Sequence, residues 1–354
     1  MSSGLRSFPL ARWTQETGSA GAWDFLREGL AQERSGCMVE AVQWYNAAID
    51  AAERDTQPAI LAESLRRLGI VHHQRHEPVL AQELCQRSQE IASKLGDTIL
   101  AAEALNALAG FEFEGGQIES ARQKFRGALE LGKGSAELCG RAEQNLGILA
   151  NVQGSMTEAL AHYQRSLLAF ASIGDRRGCA IAYHNLGMVS ADLERWDEAD
   201  EYYQLSFDIA QEIGDLHLEG LNLLNTAEVY LGRRQYDQAR QNAENALGIF
   251  DQLGCILDKA DSYKVIGQSY RELGQYPLAE SRLRSAIELA VQTGSLLSEA
   301  EASRELALLY VAIGCKEAAL ELLSAASRLF YRLGARVDLA DVALRINQLE
   351  ESLA

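Results

Sequence analysis

Two stretches of this sequence carry residue types that could do chemistry. The first is "GALELGKGS", residues 127–135, where Gly127, Gly132 and Lys133 stand at the spacing of a phosphate-binding loop. Such a loop cradles phosphates with backbone N–H groups and reaches them with the lysine. The second is "VHHQRH", where His72, His73 and His76 fall on one helix face, as metal ligands would. Each reading depends on the elements that hold the residues. A phosphate loop must follow a buried strand and end in Ser or Thr, the magnesium ligand. Here Leu129 and Leu131 continue a helical pattern, and Gly134 follows Lys133, so the stretch reads as a helix terminus. A metal centre on the histidines would need a further ligand and supporting hydrogen bonds. His72 instead fills a column held elsewhere by Tyr230, Tyr270 and Tyr310, and His76 falls at a turn. With no H-E-x-x-H and no G-x-S-x-G motif, no metal, cofactor or catalytic residue is expected.

The elements themselves repeat. Ala41, Ala81, Ala121, Ala159, Ala199, Ala239, Ala279 and Ala319 are spaced by 40 residues, with one step of 38. Twelve residues before each stands Gly29, Gly69, Ala109, Gly147, Gly187, Ala227, Gly267 or Ala307. A third column runs through Gly134, Gly174, Gly214, Gly254, Gly294 and Gly334. Periods of this length mean stacked supersecondary units. In one unit, Ala180, Tyr183, Leu186 and Gly187 form one helical stripe, and Ala199, Tyr203, Ser206 and Ala210 form another. Each unit is therefore two helices, with small residues where their backbones approach closely. Leu95-Gly96-Asp97, Ile173-Gly174-Asp175 and Ile213-Gly214-Asp215 are stop and start signals: the glycine ends one helix and the aspartate caps the next.

This pattern resembles the tetratricopeptide repeat, and more closely its extended forty-residue form. That form occurs in kinesin light chains, in polarity adaptors of the LGN type and in bacterial peptide-pheromone receptors. The resemblance is carried by Tyr183 to Gly187 ("YHNLG"), by Tyr230, Tyr270 and Tyr310, and by the Ala199 and Ala246 columns. The chain departs from the family where Leu65 and Glu143 replace an aromatic, and where the proline that often ends the second helix is missing. The resemblance implies an all-α, right-handed superhelical solenoid. Residues 20–335 would form eight repeats, 1–19 an N-terminal arm, and 336–354 a capping helix that covers the last repeat with Val337, Ala340 and Leu344.

In such arrays the first helices line the inner, concave wall. Two residues before the small column stand Arg67, Asn145, Asn185 and Asn225, and one residue earlier Arg66, Asn106, Gln144, His184, Lys264 and Arg304. The resemblance implies that Asn145, Asn185 and Asn225 form a ladder gripping a ligand's backbone amides. An amide side chain both donates and accepts, so it can hold an extended peptide of any sequence. The basic residues flank the ladder and suit an acidic segment. As surface groups turned from the neighbouring repeat, all of these side chains are expected to add little to stability.

Composition narrows the partner. A formal charge of −17 argues against a nucleic-acid backbone or an anionic membrane as the ligand. No apolar run is long enough to insert into a bilayer. Six dispersed cysteines without C-x-x-C suit reduced, mostly buried thiols in the cytoplasm. The expected function is a non-enzymatic adaptor or scaffold that holds an extended segment or helix of a partner protein in its groove. The alternative is a receptor for a short signalling peptide. Receptors of that kind usually carry an output domain before the repeats, and only about 19 residues precede them here, too few for a folded domain.

Overall fold

The computed structural model describes residues 21–333 and 335–353. The arm at 1–19, with Arg6, Phe8, Leu10, Arg12 and Trp13, lies outside the described residues, as does Gly334. Seventeen α-helices and no strand occur among the described residues. The first eight are α1 (Ala22–Arg34), α2 (Met38–Arg54), α3 (Pro58–Gln74), α4 (Pro78–Leu95), α5 (Thr98–Glu114), α6 (Ile118–Leu131), α7 (Ala136–Val152) and α8 (Met156–Ser172). Then come α9 (Arg176–Asp192), α10 (Trp196–Ile213), α11 (Leu216–Gly232), α12 (Tyr236–Leu253) and α13 (Ile256–Glu272). The last are α14 (Tyr276–Thr293), α15 (Leu296–Ala312), α16 (Lys316–Leu333) and α17 (Arg336–Leu353). The chain divides into two compact units between Val189 and Ser190.

The helix ends follow from their residues. Gly96, Gly214, Gly254 and Gly294 close second helices with φ near +70°, a conformation without penalty only for glycine. Asp97, Asp175 and Asp215 then accept the amide hydrogens of Leu100, Gly178 and Leu218. Gly132 and Lys133 lie in the turn between α6 and α7, and Lys133 pairs with Glu130 at the surface. The two missing residues of the period shorten α6 to 14 residues.

A further column was hidden in the sequence. The turn between the helices of a pair always holds one residue at positive φ: Gly36, His76, Gly116, Gly154, Glu194, Arg234, Gly274 or Gly314. The shared conformation could not be read from residue type because His76, Glu194 and Arg234 interrupt the glycines.

The small columns form the helix contacts. Every alanine from Ala41 to Ala319 at the repeat spacing is 0% exposed. A Cβ on Gly147 would lie 2.6 Å from the Tyr163 ring, and one on Gly267 would lie 2.6 Å from Leu283. Tyr45, Phe125, Phe250 and Phe330 are among the largest fully buried side chains, and the Tyr45 and Phe250 rings pack against Gly29 and Gly220 of the first helix of their own pair. Where the family has an aromatic, Glu143 is buried and pairs with His162 at 2.5 Å and Arg165 at 2.9 Å. Burial alone would raise its pKa, but these two partners outweigh burial and hold it low.

Within the N-terminal unit, α1, α3, α5 and α7 touch in succession; within the other, α11, α13 and α15 do the same. Second helices make no comparable contacts with one another among the described residues. The first helices are thus the closer-packed, inner layer of each unit. At the end of the chain, α17 meets α16 through Val342 and Leu349, with Leu339 and Ile346 beside them. This corrects the expected face, for Val337 is 84% exposed, Leu344 57%, and Ala340 is also exposed. Both stripes have helical spacing, and the sequence alone does not say which one turns inward.

Candidate ligand groove

A cavity of about 580 Å³ in the N-terminal unit is lined by first helices. Most of its lining falls on one helical stripe: relative to the small column, the positions ten, six, three and two before it, and one, four and five after it, with Leu100, Phe111 and Ser135 beside the stripe. Leu30 and Ile70 give it apolar floor, and Phe111 stacks on His73 with ring centroids 4.2 Å apart. His73 Nε2 lies 2.7 Å from Glu114 on α5. His72 pairs instead with Glu77 at 2.5 Å, and His76 is an exposed turn residue, so the three histidines do not converge.

Along the groove runs a chain of alternating charge. Tyr45 donates to Glu33, which faces Arg67 at 3.6 Å. Arg67 Nε donates to Glu63 at 2.9 Å, and Arg66 forks onto both Glu63 oxygens at 2.9 and 2.6 Å. Arg66 also faces Glu103 at 3.5 Å. Arg141 donates to Glu103 and faces Glu137 at 3.5 Å. Burial disfavours the Arg66 charge, but Glu63 and Glu103 outweigh burial and raise its pKa above the ordinary guanidinium value. Burial would likewise raise Glu103, yet Arg141, Arg66 and Arg67 hold it below the usual carboxylate range. Burial pushes the neighbouring Cys85 thiol up to about 12 against the pull of Arg66, so this cysteine is no nucleophile.

The structure sorts the expected site residues. Asn106 and Asn145 share the groove, Asn145 Nδ2 donating to Asn106 Oδ1 at 3.3 Å. Gln144 is half-buried beside them, while His184 and Asn185 on α9 are buried at 8% and 9% exposure. Asn225 lies in the C-terminal unit, where it hydrogen-bonds the Tyr203 hydroxyl. The basic residues differ from expectation. Arg66 is 4% exposed, and Arg67, Lys264 and Arg304 are each engaged by carboxylates. They are structural ion pairs, because carboxylates six residues before the small column (Glu63, Glu103, Asp261, Glu301) share their stripe. Sequence reasoning followed only the positions two and three before the column. The helical period predicts the others, and Arg141 with them.

Among the groove's polar atoms, His73 Nδ1 and Arg141 Nε are buried without a hydrogen-bond partner among the described residues. Asn185 Nδ2 is in the same state on α9. The corresponding stripe in the C-terminal unit is built around Lys264, which lies 2.5 Å from Glu301 and 4.0 Å from Glu228. Arg271 pairs with Glu305 at 2.7 Å and Arg304 with Asp338 at 2.8 Å. Burial raises Asp261 above the usual carboxylate range against the opposing pull of Lys264.

Helix pairs at a forty-residue period, with a ligand-sized groove on the inner first helices, define a repeat protein built for interaction. Residues 178–252 and 265–330 match models of the tetratricopeptide repeat, and these two stretches are tetratricopeptide repeats. Solved structures of like fold include a Rap protein complexed with Competence and Sporulation Factor. It is 12% identical over 94% of this chain and 98% of that one, with a TM-score of 0.62. The Rap conjugation gene regulator of the plasmid pLS20, in complex with the Phr* peptide, is 16% identical over 77% and 74%, TM-score 0.59. BtubC (BKLC) from P. vanneervenii is 21% identical over 60% and 91%, TM-score 0.53. A search of curated protein sequences returns no match. Among the described residues no helix is long and apolar enough to cross a membrane. All six cysteines are free, but only Cys85 and Cys179 are buried, fewer than the sequence suggested.

Proposed function

We propose that this protein is a non-enzymatic adaptor of the cytoplasm that holds an extended segment of a partner protein against its first helices. The observation that carries this reading is the 580 Å³ groove, where paired amides, an aromatic floor and two unsatisfied buried nitrogens share one wall. Asn106 and Asn145 would release their mutual bond to take a peptide group, one donating and one accepting. Asn185 continues the ladder within the N-terminal unit, with Gln144 and His184 beside it, and Asn225 offers the same amide on the first helices of the C-terminal unit. Arg66 and Arg67 in one unit, and Lys264 and Arg304 in the other, shape each wall through their carboxylates, so the charge on each wall is already matched. A segment of low net charge then suits the groove better than an acidic one, because every exchanged ion pair would have to be broken. Residues 20–335 act as eight repeats and 336–354 closes the last of them.

A second reading, a receptor for a short signalling peptide, is favoured by the fold shared with the Rap conjugation gene regulator in complex with the Phr* peptide. Capture of partners from the native cell, followed by mass spectrometry, tests the proposal. An Asn106→Ala/Asn145→Ala variant should lose the partner that the parent retains. Equal retention by both proteins would remove the groove from the account. A captured partner of full protein length favours the adaptor; a free short peptide favours the receptor.

A further inference from the structure

At the start of each first helix from α5 to α15, the capping position is held by a residue that can accept a hydrogen bond, with one exception. Asp97, Ser135, Asp175, Asp215 and Ser295 all accept the amide hydrogen three residues on. Before α13 the residue is Cys255, and its side chain makes no capping bond. A thiol caps poorly, so this repeat forgoes a stabilising contact that its neighbours keep. Beside Cys255 lie Asp258, three residues on, and His217, second residue of α11 in the preceding repeat. One ligand atom from each of the three falls within a 4.8 Å cluster, and His217 Nε2 is 3.0 Å from Asp258 Oδ2.

From this juxtaposition we infer that His217, Cys255 and Asp258 form a binding site for a thiophilic divalent cation of the zinc class. Thiolate and imidazole select such a metal over magnesium or calcium, which prefer oxygen ligands alone. Ligand atoms around tetrahedral zinc sit roughly 3.3–3.8 Å apart, given bonds of about 2.0–2.3 Å. The cluster therefore closes on a cation by rotation of side chains. On binding, the Cys255 Sγ–H bond breaks and its proton leaves to solvent. The imidazole enters as the neutral base, and thiolate plus carboxylate balance the two positive charges. His217 is half exposed, which leaves the fourth position open to water. Because His217 belongs to α11 and the other two to α13, the cation would tie two successive first helices together at their N-terminal ends.

Cobalt(II) is the probe, since a cobalt–thiolate bond gives a near-ultraviolet charge-transfer band. Titration of the full chain should develop this band to one equivalent, and zinc should displace it. Cys255→Ser should abolish the band. Serine is the capping residue of Ser135 and Ser295, so this variant should melt no lower than the parent without metal, and lost binding is not lost folding. His217→Ala should weaken binding roughly tenfold or more. Cys315→Ser, at an exposed cysteine elsewhere, should leave the titration unchanged. Absence of the band in the parent, its persistence in Cys255→Ser, or its loss in Cys315→Ser would each overturn the site.

Discussion

The inner walls of the two units use the same packing and different charge. In the N-terminal unit, arginines alternate with glutamates, and the wall encloses a groove with amides at its centre. In the C-terminal unit, a single lysine sits among Glu228, Asp261 and Glu301, and burial keeps Asp261 above its ordinary range. The alanine column is the same in both units, and the small column holds only Gly or Ala in each. Packing therefore fixes the repeat, while the stripe at positions six, three and two before the small column sets what each wall can hold.

The sharpest way to break the comparison is to remove one member of the buried charge chain. Glu63→Ala leaves Arg66, 4% exposed, with only Glu103 at 3.5 Å. Removal of one partner of a buried pair costs about 3–5 kcal/mol, and urea unfolding should show that loss. Asp338→Asn in the other unit exposes a weaker dependence. Arg304 keeps Glu305 nearby, and the aspartate is one-third exposed, so the cost should stay within about 1 kcal/mol. Equal losses would mean that the two walls are not distinct in kind.

The packing columns should behave alike in both units. Gly147→Val and Gly267→Val each force a side chain into a space 2.6 Å from a neighbour. Overpacking of this sort costs about 1–3 kcal/mol, measurable as lowered thermal unfolding in either variant. A variant that melts like the parent would dissolve the register on which the columns rest.

Acid should separate the units. Glu103 is held low in the folded chain, so its stabilisation is present above the ordinary carboxylate pKa and fades as pH falls below about 4.3. Asp261 is held high, so the folded state binds its proton more tightly than the unfolded chain does. Its contribution is greatest below about 3.9 and is lost as pH rises through the raised value. Hydrogen exchange compared between pH 7 and pH 3 should therefore show α5 loosening relative to α13. The reverse order would contradict the charge assignment.

The smallest effect belongs to the turns. His76 holds a left-handed conformation at φ +61° that Gly36 and Gly116 hold without strain. His76→Gly should change stability by less than about 1 kcal/mol, with relief of strain opposing the added freedom of the unfolded chain. A larger loss in thermal unfolding would reveal a role for the imidazole beyond the turn.

The sequence was most legible where a column has one physical cause. The small residues at Gly147 and Ala159, and the caps at Asp97 and Asp215, are each dictated by a local contact, so period and type agree. The inner stripe was harder. Arg66 and Lys264 read as free surface charges because their partners, Glu63 and Glu301, stand one helical turn away or in the next repeat. The face of α17 was ambiguous for a related reason: Val337, Ala340 and Leu344 form as good a stripe as Leu339, Val342, Ile346 and Leu349. Glu143 looked like a defect until His162, 2.5 Å away on α8, supplied its partner.

The central claim is that the first helices of the N-terminal unit hold the partner. Hydrogen–deuterium exchange with the captured partner segment, resolved to single helices, tests it most directly. The account expects protection concentrated on α3, α5 and α7, around Arg67, Asn106 and Asn145, and lost in the Asn106→Ala/Asn145→Ala variant, whose own unfolding should match the parent within about 1 kcal/mol. Protection confined to the second helices α4, α6 and α8, or to α17, would contradict it.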